Sequence, residues 1–300
     1  MTINKEEIRA LAQTVMFDEP MKNHTTFRIG GPADVFIDAC CAEEIKRTVR
    51  YCRDSGIPVA VMGNGSNMLV GDRGMRGVVI HVGKSMSDVE IDGERVYAEA
   101  GVLMSSLASA ILKAELTGFE TISGIPGTLG GGIYMNAGAY GGELSSVIES
   151  VTYMDESCEI ITAPNDELDF SYRHSMFETG KYVILSCVLK LKKGSYDEIK
   201  AAMQDYSKRR SDKQPLSMPS AGSTFKRPEG YFAGKLIQDC GLMGYSIGGA
   251  QVSEKHAGFI VNTGGATAAD VLTLIRHVQD TVEEKFGVRL EPEVRLTGEQ

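Results

Sequence analysis

The 300-residue chain has no long apolar run, no excess of positive charge and no paired metal-binding side chains. None of its apolar runs approaches the roughly 20 residues that a membrane-spanning helix needs, so the sequence argues against a membrane protein. Its formal net charge of −9 argues against nucleic-acid binding through a basic face, although a basic pocket for one small anion is compatible with it. The first residues contain no apolar signal segment, so we expect a cytoplasmic protein.

Patterns for metal binding and for two common enzyme classes are also missing. The five histidines are scattered and no two cysteines form a C-x-x-C pair, so we expect no metal site and reduced thiols. The chain has no G-K-[ST], which excludes a P-loop, and no G-x-S-x-G elbow, which argues against a serine hydrolase. The six cysteines are Cys40, Cys41, Cys52, Cys158, Cys187 and Cys240.

Hydrophobic periodicity predicts a mixture of helices and strands along the chain. Helices are predicted over residues 4–16, 43–53, 104–115, 196–210, 233–240 and 268–286. Strands are predicted over residues 33–39, 58–62, 78–82, 182–191, 258–262 and 288–296, with a hairpin over 89–98 and two more strands within 147–162. Residues 214–222 are rich in proline and serine, and a second unit begins there. The length is sufficient for two or three compact domains.

The most glycine-rich stretch runs from Gly124 to Gly142, where eight of nineteen residues are glycine. Glycine loses more conformational freedom on folding than other residues, so this many indicate tight turns or a close approach to something flat. A surface with few side chains suits a large planar cofactor with a phosphate tail. A flexible linker is the alternative, although the stretch has almost no serine or charge and contains several large apolar residues.

A second glycine-containing loop, Met62-Gly63-Asn64-Gly65-Ser66-Asn67, follows a predicted strand. Its G-x-G is a weak dinucleotide signal, and the residues after it cannot form the helix that a Rossmann site needs. It is either an anion nest of successive backbone N–H groups or an ordinary glycine–asparagine turn. If it is a nest, the two glycine-rich segments could hold the two ends of one dinucleotide.

Three chemically useful side chains stand in turn-like surroundings. Arg173 lies in the segment S-Y-R-H-S, where its rigid fork suits a carboxylate, or it is an ordinary surface arginine. Ser223 follows small residues that allow a ligand to approach it, or it lies in a plain polar turn. Glu293 shares one face of the predicted last strand with Glu291 and Arg295, a pattern that a solvated charged face also shows.

Taken in order, these motifs resemble those of the UDP-N-acetylenolpyruvoylglucosamine reductase family over nearly the whole chain. The matching segments are N-H-T-T-F-R-I-G-G-P-A-D from Asn23, G-N-G-S-N from Gly63, S-G-I-P-G-T-L-G-G-G-I-Y-M-N-A-G-A-Y-G-G-E from Ser123, S-Y-R-H-S from Ser171, A-G-S-T-F-K-R-P from Ala221 and E-P-E-V-R from Glu291. The chain looks like the shorter type of this family, which lacks an inserted loop with a substrate-covering tyrosine.

The resemblance implies an α+β protein with the FAD-binding fold of the flavin oxidase group and a C-terminal α+β substrate domain. The FAD-binding part would span residues 1–193, as subdomains of about 1–83 and 84–193, and the substrate domain would span 194–300. FAD would bind non-covalently, because the R-S-G-G-H-like loop of the covalent relatives is absent. We expect a monomer. The residues expected to bind FAD are Met62, Gly63, Asn64, Gly65, Ser66, Asn67, Gly124, Ile125, Pro126, Gly127, Gly130, Gly131, Asn136, Ala137, Gly138 and Ala139.

The reaction that the resemblance implies is reduction of UDP-N-acetylglucosamine enolpyruvate to UDP-N-acetylmuramate for peptidoglycan synthesis. NADPH reduces FAD, a hydride passes from flavin N5 to C3 of the vinyl group, and a proton is added at C2. Arg173 and Glu293 would bracket the enolpyruvyl carboxylate, and Ser223 would donate the proton. Glu293 would either share a proton with that carboxylate or be held by Arg173. The candidates for binding the UDP pyrophosphate are Lys213, Lys226 and Arg227.

Two other functions remain compatible with the sequence. One is a different flavin oxidoreductase, such as an oxidase of the same fold group, which reactivity towards oxygen would distinguish. The other is a flavin- or nucleotide-binding regulatory module without turnover. A wide separation of Arg173, Ser223 and Glu293 would favour that module.

Overall fold

The computed structural model describes residues 3–300. These residues form seven α-helices: α1 Lys5–Arg9, α2 Ala42–Asp54, α3 Met104–Lys113, α4 Leu129–Tyr134, α5 Tyr196–Lys213, α6 Ala233–Asp239 and α7 Ala268–Phe286. They also form nineteen strands: β1 Val15–Pro20, β2 Pro32–Asp38, β3 Val59–Met62, β4 Met68–Val70, β5 Met75–His81, β6 Val89–Asp92, β7 Arg95–Glu99, β8 Leu116–Thr117, β9 Gly138–Ala139, β10 Gly142–Glu143, β11 Ile148–Met154, β12 Ile160–Pro164, β13 Val183–Lys190, β14 Lys192–Lys193, β15 Ser220–Ser223, β16 Ser246–Ile247, β17 Ala250–Val252, β18 Phe259–Asn262 and β19 Arg295–Thr297.

The chain divides into two compact units, each built from several stretches of sequence. The first unit comprises Met1–Met16, Phe36–Asn64 and Gly77–Arg209. The second comprises Phe17–Val35, Gly65–Arg76 and Arg210–Gln300. Two early stretches therefore belong with the C-terminal part, and no single cut in the sequence separates the units. The predicted boundary between residues 193 and 194 concerns cofactor and substrate binding, and it stays a prediction.

The first unit contains a five-stranded antiparallel sheet in the order β12–β11–β13–β7–β6. Its central strand β13 reads V-I-L-S-C-V-L-K, and β-branched and apolar residues of this kind favour a buried strand. Strands β6 and β7 form the predicted hairpin, in which Asp92 pairs with Arg95. Gly93 in the turn adopts the left-handed conformation, with φ of 61°. The hairpin prediction is confirmed.

A strand–helix–strand arrangement in the first unit positions the start of the glycine-containing loop Met62–Asn67. Helix α2 buries Ile45 and Cys52 on one face, as its apolar spacing predicts. Strand β3 pairs in parallel with β5 along its whole length. Because parallel strands run in the same direction, their carboxyl ends lie at the same edge of the sheet. Met62 is the last residue of β3, so the loop that follows it begins at this edge.

The second unit packs α6 and α7 together and α7 against a four-stranded antiparallel sheet in the order β15–β18–β17–β16. Helix α7 covers the predicted residues and buries one apolar stripe, Val271, Leu274, Ile275, Val278 and Val282. Thr267 and Asp270 form a capping box at its start, and Gly287 ends the helix in the left-handed conformation. The carboxylate of Asp72 accepts from the first two amides of α7 at 2.7 and 3.0 Å. The protein's own side chains therefore satisfy this helix terminus.

Two predicted elements near the chain termini are wrong in extent. The helix predicted over residues 4–16 ends at Arg9, and strand β1 already begins at Val15, next to Thr14, whose carbonyl accepts from the amide of Asp38. Of the residues predicted as a strand, 288–296, only Arg295 and Leu296 belong to one, β19. Pro292 cannot donate to a ladder, so the chain before Arg295 makes only an isolated bridge.

Residues 3–300 contain neither a candidate metal centre nor a helix suited to span a membrane. No three His, Cys, Asp or Glu side chains among them are grouped so that they could hold a metal ion. All six cysteines are free thiols, and burial raises the pKa of the Cys52 thiol to about 11. None of the helices in this part of the chain combines the length and apolar character needed to cross a membrane.

Candidate active site

The two glycine-rich segments meet at Gly63 and Thr128. A Cβ atom added to Gly63 would lie 2.1 Å from the Thr128 hydroxyl oxygen, so only glycine allows this approach. Thr128 is 3% exposed and caps α4, where its hydroxyl oxygen accepts from the amide of Gly131 at 3.4 Å. The hypothesis that both segments serve one ligand requires them to lie together. Their contact within the first unit satisfies that requirement.

Consecutive main-chain donors lie in the loop after β3. The amides of Gly63, Asn64 and Gly65 donate to no other residue within 3–300, whereas the Gly65 carbonyl accepts from Thr26 at 3.4 Å. Gly65 has φ of 59°, a left-handed value that turns the chain sharply. Successive N–H groups in such a turn form a concave site for an anion. This arrangement fits the phosphate tail of a dinucleotide.

The stretch from Gly124 to Gly142 is not a flexible linker. It contains the short helix α4, whose Leu129 and Ile133 side chains are completely buried. The amides of Leu129 and Gly130 donate to carbonyls of Val102 and Ala100, both at 2.8 Å. Most of its N–H groups are thus used within the protein. The exposed main chain is confined to a few positions, which include Gly124, Pro126 and Gly131.

Asn136 is an expected FAD residue whose side chain is used inside the protein. Its side chain is completely buried and its φ is 42°. The amide nitrogen donates to Glu143 at 3.1 Å and to the Ser171 carbonyl at 2.9 Å, and the amide oxygen accepts from the backbone of Ser145. These bonds occupy the Asn136 side chain inside the protein, and the neighbouring Ala137 is also buried.

Arg173 is attached to the glycine-rich stretch. One guanidinium nitrogen donates to the Gly138 carbonyl at 3.1 Å, and the guanidinium lies 5.1 Å from the centroid of the Tyr172 ring. The hydroxyl of Ser175 donates to the Tyr134 carbonyl at 2.6 Å. Together with the bond from Asn136 to the Ser171 carbonyl, it ties the segment around Arg173 to the glycine-rich stretch. Arg173 itself has φ of 55°, which costs a non-glycine residue about 1–2 kcal/mol. Side-chain bonds therefore stabilise a strained turn that carries the arginine.

Ser223 and Glu293 lie on neighbouring segments of the second unit. Ser223 ends β15 after a register shift in the pairing with β18, and such a bulge redirects side chains. Gly222 before it has φ of 76°, a left-handed value that favours glycine. A Cβ atom added there would meet no other atom within 4 Å, so crowding is not the reason for the glycine. The amide of Glu293 donates to the Thr224 carbonyl at 2.8 Å, next to Ser223 in sequence. The structure thus brings together these two predicted site residues.

Asn67, the last residue of the glycine-containing loop Met62–Asn67, bonds to the segment that carries Glu293. Its side-chain amide donates to the Glu293 carbonyl at 3.1 Å, and its own carbonyl accepts from the amide of Arg295 at 2.9 Å. Strands β4 and β19 continue this contact as a parallel pair. From the sequence, Asn67 is expected only to bind FAD. No sequence pattern predicts its bond to Glu293 or the contact of Thr128 with Gly63, although the residues before α4 identify Thr128 as a helix cap.

The three candidate pyrophosphate ligands lie in the second unit. Lys226 donates to the Glu291 carboxylate at 2.6 Å, and its amide donates to the Glu291 carbonyl. Arg227 stacks on the exposed ring of Phe232 at 4.0 Å. Lys213 is the exposed last residue of α5. Burial lowers the pKa of His256, and the positive charge of Lys213 lowers it further.

Comparisons with known proteins identify the family. A family profile described as UDP-N-acetylenolpyruvoylglucosamine reductase, C-terminal domain, matches residues 214–297, and a profile described as FAD binding domain matches residues 33–163. The chain is 52% identical over 283 residues to a UDP-N-acetylenolpyruvoylglucosamine reductase of Caldanaerobacter subterraneus subsp. tengcongensis, which covers 94% of this chain and 93% of that protein. The chain belongs to the UDP-N-acetylenolpyruvoylglucosamine reductase family.

Solved structures agree with this membership. The UDP-N-acetylenolpyruvylglucosamine reductase of Thermus caldophilus superposes with a TM-score of 0.81 at 35% identity, covering 94% of this chain and 98% of that one. An alkyldihydroxyacetonephosphate synthase superposes with a TM-score of 0.50 at 16% identity over 64% of this chain and 41% of that one, which shows a shared fold alone. The predicted α+β class with the FAD-binding fold of the flavin oxidase group is confirmed.

Family membership and the FAD-binding domain make the chain a flavin-dependent oxidoreductase with FAD as its cofactor. The residues present fit that cofactor, because the consecutive N–H donors after β3 suit its phosphates and the exposed glycines 124 and 131 present main chain without side chains to a flat ring. Which individual residues contact FAD or substrate stays a prediction.

Proposed function

We propose that this chain catalyses NADPH-dependent, FAD-mediated reduction of UDP-N-acetylglucosamine enolpyruvate to UDP-N-acetylmuramate in peptidoglycan precursor synthesis. The observation that carries the proposal is the contact between Gly63 and Thr128, which brings the two glycine-rich segments together. The bond from Arg173 to the Gly138 carbonyl attaches the arginine to the segment Gly124–Gly142. We further propose that the protein works in the cytoplasm as a monomer.

FAD would be held by main-chain groups of the two glycine-rich segments. When bound, it supplies a site that accepts a hydride from NADPH and passes one to the substrate. Neither Met62–Asn67 nor Gly124–Gly142 contains a histidine or a cysteine, so neither offers the usual side chain for a covalent flavin link. Non-covalent binding is therefore the proposal for this chain. The buried side chain of Asn136 would support the segment, and its neighbours would contact the cofactor.

Arg173 would stabilise the charge that develops on the substrate. Reduction at C3 of the vinyl group leaves negative charge on C2 and the adjoining carboxylate. A guanidinium is always protonated and presents a planar fork that matches a carboxylate. A preorganised donor at such a position lowers the barrier by roughly 3–4 kcal/mol. The strained but well-bonded turn supports this role, because the side chain would need little reorganisation during reaction.

Ser223 would supply the proton at C2. The C2 carbanion takes the proton from the serine hydroxyl, a new C–H bond forms, and the serine oxygen then recovers a proton from water. A serine hydroxyl is a weak acid, but a carbanion is a much stronger base, so the transfer is favourable. Glu293 lies beside Ser223 through the bond to Thr224. It would share a proton with the substrate carboxylate or be held by Arg173.

Lys213, Lys226 and Arg227 would bind the UDP pyrophosphate. Lys226 and Arg227 follow Ser223 closely in sequence, and Lys213 is the last residue of α5 before that segment. Lys226 already pairs with Glu291, whose side chain is 68% exposed. An exposed ion pair is worth little, so exchange of this partner for a pyrophosphate oxygen is energetically reasonable.

An anaerobic two-step experiment tests the function. The purified holoprotein is first bleached with NADPH, and UDP-N-acetylglucosamine enolpyruvate is then added. We expect the yellow flavin absorbance to return and UDP-N-acetylmuramate to appear. Rapid return of the colour with oxygen, but not with the enolpyruvyl compound, would instead identify an oxidase. A protein that binds flavin but reacts with neither would be a binding module.

A further inference from the structure

His174, the residue after Arg173, has both ring nitrogens within hydrogen-bond distance of carboxylates. Nδ1 lies 2.8 Å from the Glu178 carboxylate, and Nε2 lies 3.1 Å from the Asp169 carboxylate. A neutral imidazole has one N–H donor and one acceptor nitrogen. An ionised carboxylate only accepts, so a neutral ring could satisfy one of these two contacts. An imidazolium, which donates from both nitrogens, satisfies both.

The two carboxylates lie on opposite flanks of the arginine turn. Asp169 precedes the turn and Glu178 follows it, so the ring joins the two ends of the segment 169–178. Inside it, the backbones of Ser171 and His174 exchange two hydrogen bonds at 3.2 and 3.1 Å. Arg173 is held between them at a positive φ of 55°. A non-glycine residue keeps such a conformation only when its surroundings determine it.

We propose that His174 is a positioning residue that joins the two flanks of the Arg173 turn through its ring nitrogens and so holds the turn in its working conformation. This inference rests on the proposed role of Arg173 in substrate reduction. His174 is then required for the step that uses Arg173, and it is not required for reduction of the cofactor by NADPH. The position corresponds to none of the residues for which the sequence predicts contact with FAD or substrate.

The surroundings of His174 are consistent with this assignment. The Glu178 side chain is 22% exposed and therefore partly shielded from solvent, whereas that of Asp169 is 78% exposed. The Tyr134 hydroxyl donates to the Glu178 carbonyl at 3.4 Å, which holds the second flank to the glycine-rich stretch. The ion pairs are too exposed to add much global stability, so their effect is local order.

Two variants of the holoenzyme test the assignment. In His174→Gln, we expect substrate-driven reoxidation near neutral pH to fall about tenfold, a modest loss for misplacing a substrate-orienting group. In Asp169→Asn, the carboxylate becomes an amide that still presents an oxygen to the ring, and Asn tolerates the φ of 49° at this position well. Its loss should therefore be smaller than that of His174→Gln. His277→Gln, which replaces a histidine stacked on Tyr245 in the second unit, is the matched control and should behave like the wild type.

The measurement is anaerobic stopped-flow of both half-reactions, with thermal unfolding of each variant to compare their stabilities. Loss of both half-reactions in His174→Gln would indicate a general structural role and overturn the proposal. An unchanged rate of substrate-driven reoxidation in that variant would also overturn it while leaving the proposed function intact. Failure of the wild type to be reoxidised by the substrate would overturn the proposed function, and this inference with it.

Discussion

Arg173 in the first unit and Glu293 in the second are both predicted site residues, yet different kinds of bond hold the segments that carry them. The arginine turn depends on side chains, because Asn136, Ser175 and His174 each bond it to the surrounding chain. Glu293 and its neighbours are held mainly by backbone bonds to Thr224 and Lys226.

This difference has a consequence for substitution. A backbone bond survives replacement of a side chain, whereas a side-chain bond does not. We therefore expect the second unit to keep its geometry when Ser223 or Glu293 is replaced, so that such variants report on chemistry. Variants around Arg173 should change chemistry and local structure together.

Ser223→Ala should have the largest kinetic effect. If Ser223 donates the proton at C2, substrate-driven reoxidation of the flavin should fall by about 10²–10⁴-fold, the usual contribution of a positioned acid. Reduction by NADPH should be unchanged, and the backbone bonds of β15 should keep the fold. Stopped-flow of the two half-reactions measures both effects. Ser220→Ala, at the start of the same strand, is the matched control. Equal losses in both half-reactions would rule out the assigned role.

Arg173→Lys should reduce the same half-reaction by about 10²-fold, because lysine keeps the charge but loses the fork. The bond to the Gly138 carbonyl is also lost, so flavin binding should weaken measurably. Arg209→Lys, on the exposed face of α5, is a control for the substitution itself. A variant with normal reoxidation kinetics would show that Arg173 does not contact the carboxylate.

Asn136→Ala should produce the largest loss of stability. The change leaves buried partners without hydrogen bonds and places alanine at a positive φ, so we expect about 3 kcal/mol of destabilisation. Chemical denaturation measures it. Asn23→Ala removes one exposed, 3.4 Å bond to Glu19 and should change little. Similar stabilities for the two variants would contradict the view that side chains hold the arginine turn.

Acid should destabilise the second unit through His256. Burial lowers the pKa of this side chain below its usual 6.5, and its Nδ1 accepts from the Gly258 amide at 3.1 Å, which needs a neutral ring. The unfolded state therefore binds the proton more readily, and stability falls as the pH drops below about 6.5 towards the lower folded-state pKa. The Tm measured from neutral to mildly acidic pH should fall in the wild type. The fall should be smaller in His256→Gln, and an identical fall in both proteins would remove His256 as its cause.

Lys226→Met should have the smallest effect on stability. Its ion pair with Glu291 is exposed, with side-chain exposures of 34% and 68%, so its loss should cost less than about 0.5 kcal/mol. The backbone bond from residue 226 to the Glu291 carbonyl remains. If Lys226 binds the pyrophosphate, the KM for the sugar nucleotide should nevertheless rise. Unchanged KM would remove Lys226 from the candidate ligands.

Parts of this protein follow from local sequence patterns. The bounds of α7, its caps and its buried stripe were predictable, because apolar spacing, a capping box and a terminal glycine act within a few residues. The hairpin at Asp92–Gly93 is local in the same way. The order of the glycine-rich, arginine and serine motifs also indicated the family. Local patterns failed at residues 4–16 and 288–296, where pairing with distant strands, or a proline within the segment, decided the conformation.

The arrangement of the candidate site was decided only in three dimensions. Asn67 bonds to Glu293 across 226 positions of sequence, and Gly63 lies against Thr128 because β3 and α4 bring them together. The double contact of His174 joins carboxylates on both sides of a turn that no periodicity predicts. A sequence determines which groups are available and which short segments turn or coil, since those preferences are local. Distances between side chains on separate segments depend on the packing of the whole core, so they had to come from the tertiary structure.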